Sequence, residues 1–140
     1  MNFAFNNQEL KNKRIIIIED DVPSVKYYET ILTNSGADIK VFTNGKDFLT
    51  FLEKSDEKID LLMVDFLVPL VNGIECVRIF RKERKDVPVL MLTAYYSDQS
   101  KNGAFVAGCN EYILKPVFPE KIYHLLVKYL KTEISISSVI

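Results

Sequence analysis

Five short apolar runs recur along the chain, and their spacing constrains the fold more than any other feature. They are RIIII (Arg14 to Ile18), DIKVF (Asp38 to Phe42), DLLMV (Asp60 to Val64), PVLML (Pro88 to Leu92) and EYILK (Glu111 to Lys115). The first, third and fourth are continuous and rich in branched residues, which is how a strand covered on both faces reads. The second alternates apolar and polar, as a half-covered edge strand does. Helical patterns lie between the runs. Val25, Tyr28, Ile31 and Leu32 repeat at helical spacing, as do Phe48, Phe51 and Leu52, then Ile74, Val77 and Phe80. Ile122, Leu125, Leu126, Tyr129 and Leu130 form one apolar stripe. A weaker helix between Ser97 and Ala107 follows from context, and Gly36, Gly45, Gly73 and Gly108 punctuate the alternation.

Five strand–helix repeats predict an α/β fold, a parallel sheet with helices on both faces. Right-handed crossovers leave few arrangements, and the flavodoxin-like (βα)5 order 2-1-3-4-5 is the natural one. It makes the first and third strands neighbours and puts ligands outside the carboxyl ends of the strands. The four isoleucines of the first strand drive straight into Glu19, Asp20 and Asp21, and LLMV runs into Asp65. Glu19, Asp20 and Asp65 are therefore predicted on one rim. The fourth strand brings Thr93 to the same rim through LTA, and the fifth brings Lys115 through LKP.

Carboxylates at close quarters repel unless a cation compensates, and hard oxygen ligands suit Mg²⁺, which needs only one or two of them directly. The plainer reading makes the acids loop-entry or capping residues. Asp21, just before Pro23, fits that role as a helix N-cap. Thr93 alone reads as a strand residue and Lys115 alone as a solvated lysine. Together with the acids they describe a site for a metal and a phosphoryl group, with Lys and Thr on phosphoryl oxygens. Asp65 can itself be the acceptor, as an aspartyl-phosphate nucleophile.

With ED (Glu19–Asp20), DFLVPLVNG (from Asp65), TA (Thr93–Ala94) and KP (Lys115–Pro116) each at a strand end, the sequence resembles the receiver domain of bacterial two-component response regulators over about residues 13–131. The resemblance implies Asp65 as phosphoacceptor, and Mg²⁺ held by Asp20, Asp65 and the backbone carbonyl of Leu67, with Glu19 close by or acting through water. It implies Thr93, Lys115 and the Ala94 amide on the phosphoryl group, Thr93 and Tyr112 as the switch pair, and a cis Lys115–Pro116 bond. Pro69 and Gly73 match the loop after the acceptor, and Asn72 stands where Asp is commoner. The implied partners are a histidine kinase or phosphotransfer protein, and a downstream protein on the fourth helix–fifth strand–fifth helix face.

Two other classes share parts of this pattern. Phosphatase-like hydrolases with an Asp nucleophile carry a second Asp two residues on, where this chain has Leu67, which speaks for a switch rather than a turnover enzyme. A flavodoxin needs a hydroxyl- and Gly-rich phosphate loop after the first strand, and none follows. A receiver reduced to a docking module would not keep a full set of acids, Thr and Lys.

Net charge is -1 from 18 basic and 19 acidic residues, with no basic–aromatic cluster, so neither nucleic acid nor an anionic membrane is an expected partner. No apolar run approaches a membrane span, and the polar start has no signal-type region, so the expected location is cytoplasmic. Cys76 and Cys109 read as small buried side chains in a reducing compartment. The expected organisation is an N-terminal linker or extension (1–12), a receiver unit (13–131) and a short tail (132–140). The KPV and AGCNEYILKP segments look like those of receivers attached to hybrid sensor kinases. His124 reads as a helix-face residue, away from the acidic rim.

Overall fold

The computed structural model describes Phe5 and residues 8–131. Strands and helices alternate as β1 (Arg14–Ile18), α1 (Val22–Leu32), β2 (Asp38–Phe42), α2 (Gly45–Lys54), β3 (Leu61–Val64), α3 (Gly73–Glu83), β4 (Val89–Thr93), α4 (Asp98–Ala107), β5 (Glu111–Leu114) and α5 (Pro119–Leu130). All strand pairs are parallel and the sheet order is β2-β1-β3-β4-β5, the flavodoxin-like order.

The period of two along each strand sorts the core into two layers. Ile15, Ile17, Leu61, Met63, Leu90 and Leu92 face α1 and α5, where Tyr28, Ile31, Leu125 and Leu126 meet them. Ile16, Ile18, Leu62, Val64, Val89 and Met91 face the other way, onto Phe48, Val77, Phe80 and Ala104 of α2, α3 and α4. A strand buried on both faces has no polar alternation, which is why β1, β3 and β4 read as continuous apolar runs.

Four helices start on a side chain that accepts from the backbone N–H three residues on: Asp21, Asn44, Asn72 and Ser97. Asn72, which stands where Asp is commoner, is thus the N-cap of α3. At the opposite end of α4, Gly108 has φ +123°, and a Cβ there would meet Arg81 Nε at 2.7 Å. The Arg81 guanidinium donates to the carbonyls of Arg84, Lys85, Val87 and Gly108, riveting the end of α3 to the turn before β5.

Phe5 and Leu10, in the stretch expected as a linker or extension, contribute to the core. Phe5 and Leu10 are fully buried, and the Phe5 ring lies 4.6 Å from that of Tyr123 on α5. Leu10 N–H donates to Ser35 O at 2.7 Å. The expected tail, from residue 132, lies outside the described residues. Among the described residues no helix is long and apolar enough to cross a membrane. Both cysteines are free and buried, and burial pushes each thiol up to about 12.

Candidate functional site

Each strand delivers its rim residue through one last interstrand hydrogen bond. Glu19 N–H donates to Phe42 O (2.9 Å), Asp65 N–H to Ile18 O (3.0 Å) and Lys115 N–H to Thr93 O (2.8 Å). Glu19, Asp65, Thr93 and Lys115 are thereby fixed to one edge by the register of the whole sheet, although up to 96 residues separate them.

Lys115 is the centre of the cluster. Its Nζ donates to Glu19 Oε1 at 2.6 Å, to Asp65 Oδ2 at 3.2 Å and to Ser24 Oγ at 3.2 Å. Glu19 is 1% exposed, and its second oxygen accepts from Asp21 N–H. Burial pushes the Glu19 carboxyl above its ordinary value and Asp65 adds to this, while the Lys115 contact pulls it back only in part. Burial alone would lower the Lys115 ammonium, but the Glu19 hydrogen bond and the surrounding negative charge outweigh it and raise it. The lysine is held charged.

Asp20, in contrast, is exposed and has no hydrogen bond or ion pair to a described residue. Asp65 Oδ1 accepts from Leu67 N–H at 3.1 Å, and the Leu67 side chain is 56% exposed. Among the described residues no three His, Cys, Asp or Glu side chains form a metal-holding cluster. Both oxygens of Glu19 and both of Asp65 accept hydrogen bonds, and each carboxylate oxygen keeps a second lone pair, so Asp20, Asp65 and the Leu67 carbonyl can still act as metal donors. Two carboxylates, one carbonyl and water make up a donor set that fits Mg²⁺.

The loop after Asp65 is folded back by close backbone packing. A Cβ on Gly73 would come within 2.2 Å of Asp65 O, and one on Gly45 within 2.0 Å of Val71 O, so both positions admit only glycine. Gly73 N–H donates to Phe66 O and Gly45 N–H to Pro69 O. Leu70 holds φ +73° in this loop, an unusual backbone for a leucine.

Thr93 ends β4 fully buried, and its Oγ1 accepts from Tyr95 N–H at 3.2 Å. Ala94 is exposed beside it. Tyr112 is half-buried and donates its hydroxyl to Tyr95 O at 2.6 Å, tying β5 to the β4–α4 loop. Burial pushes its phenol up. Tyr95 is 41% exposed, and its ring lies 5.3 Å from that of Phe66. The Lys115–Pro116 bond is cis, as the resemblance implied. His124 is exposed on α5. The one residue of the cluster that the sequence reading passed over is Ser24. Its signal was modest: a hydroxyl three residues after an N-cap acid.

The family model described as response regulator receiver domain matches residues 15–127. The chain is 31% identical over 111 residues to the alkaline phosphatase synthesis transcriptional regulatory protein PhoP of Bacillus subtilis, covering 79% of this chain and 45% of that protein. It is 26% identical over 138 residues to hybrid signal transduction histidine kinase I of Dictyostelium discoideum, covering 91% of this chain and 8% of the kinase. The chain thus spans less than half the length of either relative. A CheY-like receiver domain protein from Methanospirillum hungatei superposes with a TM-score of 0.80 at 26% identity, over 88% of this chain and 97% of that one. The receiver domain of a Pseudomonas aeruginosa sensor histidine kinase, solved with magnesium in its active site cleft, shares the fold at a TM-score of 0.75 and 21% identity, over 86% and 98%. The fold, the rim chemistry and the family match agree: this chain belongs to the response regulator receiver domains of two-component signal transduction.

Proposed function

We propose that this receiver is a phosphoacceptor switch in which Asp65 takes a phosphoryl group from a histidine kinase or phosphotransfer protein. The observation that carries the reading is the Lys115 ammonium between Glu19 and Asp65, with Asp20 exposed and Thr93 on the same rim. An Asp65 carboxylate oxygen attacks phosphorus as the P–N bond of a phosphohistidine breaks, and the imidazole leaves with the electron pair and takes up a proton. Lys115, Thr93 and the Ala94 amide hold the phosphoryl oxygens. Asp20, Asp65 and the Leu67 carbonyl would hold Mg²⁺, which supplies charge neutralisation at those oxygens when bound. The magnesium of the Pseudomonas aeruginosa receiver supports this assignment.

The added charge draws the Thr93 hydroxyl inward, Tyr112 follows, and the α4–β5–α5 face changes for a downstream protein. That face carries exposed Phe105, Val106 and Leu114. Leu67, where a hydrolase would have an acid, limits the chemistry to the domain's own phosphorylation and dephosphorylation. The receiver unit spans 13–131 and borrows Phe5 and Leu10 from the segment before it. It works in the cytoplasm, with no nucleic-acid or membrane contact of its own.

The test is intact mass after acetyl phosphate and Mg²⁺. Wild type gains one hydroxylamine-labile phosphoryl group and Asp65→Asn gains none. An Asp65→Asn variant labelled at the wild-type rate would refute the assignment.

A further inference from the structure

We propose that Ser24 is a positioning residue for this phosphoryl transfer: its hydroxyl, anchored on Asp21, holds the Lys115 ammonium at the angle from which it reaches the phosphoryl group. The role rests on Asp65 being the acceptor.

Hydrogen-bond valence fixes the direction of each bond. A serine hydroxyl has one proton to donate, and an ionised carboxylate can only accept. Ser24 Oγ lies 2.6 Å from Asp21 Oδ2, so the hydroxyl proton goes to Asp21. The oxygen then faces Lys115 Nζ, 3.2 Å away, with a lone pair. An ammonium has three donors and no acceptor. Lys115 spends them on Glu19, Asp65 and Ser24, so none is left over.

Ser24 is itself anchored. Its backbone N–H also donates to Asp21 Oδ2, at 3.1 Å, as the capping bond of α1. The same helix is tied to the loop after Lys115, because Tyr27 donates its hydroxyl to Val117 O at 2.6 Å. The start of α1 and the lysine's own loop are thus held together at two points. A lysine is a point charge on a flexible four-carbon stem, and three fixed acceptors are what aim it. When Asp65 carries a phosphoryl group, the N–H that faced Asp65 Oδ2 turns to a phosphoryl oxygen. Glu19 and Ser24 keep the other two. Without the Ser24 oxygen, one donor is released to solvent and the ammonium swings about its Glu19 contact.

A purely capping role for Ser24 predicts a loss of stability and nothing more, so the experiment separates aim from stability. The full chain is phosphorylated with acetyl phosphate at increasing concentration, the Oδ–P bond forming as acetate leaves. Ser24→Ala is expected to lower the maximal rate about tenfold, the worth of one hydrogen bond to a charged group, with little change in half-saturating donor. Ser24→Thr, which restores a hydroxyl, is expected to recover most of the rate. In metal-free samples the Lys115 ammonium proton–nitrogen signal should shift and exchange faster with water in Ser24→Ala. A wild-type maximal rate in Ser24→Ala overturns the proposal, as does a threonine variant as slow as alanine or an unmoved ammonium signal. A wild type that takes no phosphoryl group at all refutes the acceptor assignment, and the positioning role falls with it.

Discussion

Replacing Lys115 with methionine should leave a buried carboxylate without its cation, and the size of the effect can be worked out. The Glu19 side chain is 2% exposed and that of Lys115 17%, so water cannot take over the ammonium's contacts. Methionine keeps most of the stem's volume, which confines the change to charge. Glu19 retains only the Asp21 N–H at 3.2 Å, with Asp65 still repelling it. Its escape is to take up a proton. Its ordinary value is 4.5, so at pH 7 protonation spans 7 − 4.5, about 2.5 pH units, at about 1.4 kcal/mol each. The loss is therefore capped at about 3.4 kcal/mol, within the range seen when one partner of a buried pair is removed. The sign with pH follows. In wild type burial already raises Glu19, and losing Lys115 raises it further. A carboxyl raised in the folded state is at no disadvantage below 4.5, and it destabilises progressively as pH rises through its folded value. The deficit against wild type should shrink as pH falls from 7 to 5, by at most about 1.4 kcal/mol per unit. Urea unfolding of both proteins at pH 5, 6 and 7 with EDTA present measures it. A deficit that does not change with pH, or no deficit at pH 7, would show that Glu19 does not depend on the Lys115 charge.

Asp20→Ala should weaken Mg²⁺ binding sharply while leaving the fold intact or steadier, because it removes one carboxylate from the rim; metal titration followed by thermal melting reads both, and an unchanged titration would sink the metal assignment. The phosphorylated form should be long-lived, since Leu67 cannot orient a water and Tyr95 is a bulky side chain two residues after Thr93; Leu67→Asn and Tyr95→Glu should each speed phosphate release, and time courses as slow as wild type would show that neither gates it. Arg81→Met should cost about 3 kcal/mol in urea unfolding, since it unpairs the half-buried carbonyls of Val87 and Gly108 at the far end of the sheet from the site, and a loss below about 1 kcal/mol would mean water replaces the guanidinium freely.

Much of this was legible in order along the chain. Ile15 to Ile18 announced a strand covered on both faces, and Glu19 and Asp20 announced where it leaves the core. Asp65, Thr93 and Lys115 could be placed on the same rim because parallel strands present all their carboxyl ends together. Phe5 and Leu10 were not legible, because they lie outside the strand–helix alternation and bury themselves against α1 and α5 singly. Arg81 was not either, since its partners are carbonyl oxygens that any residue would supply. Glu19 was expected close by a metal or acting through water, and its hydrogen bonds to Lys115 and the Asp21 amide were not legible in the sequence.

The sequence by itself determined the elements, their alternation and the residues at each strand end. Those are local matters of period and breaker, and neighbouring residues decide them. Only the tertiary structure decided that one ammonium would touch Glu19, Asp65 and Ser24, and that Asp20 would be left exposed with no partner among the described residues. Those outcomes depend on sheet register and on how α1 docks beside the loop after β5, where shifts of an ångström separate a hydrogen bond from none. Periodicity in the sequence fixes which face a residue is on, but not distances that fine.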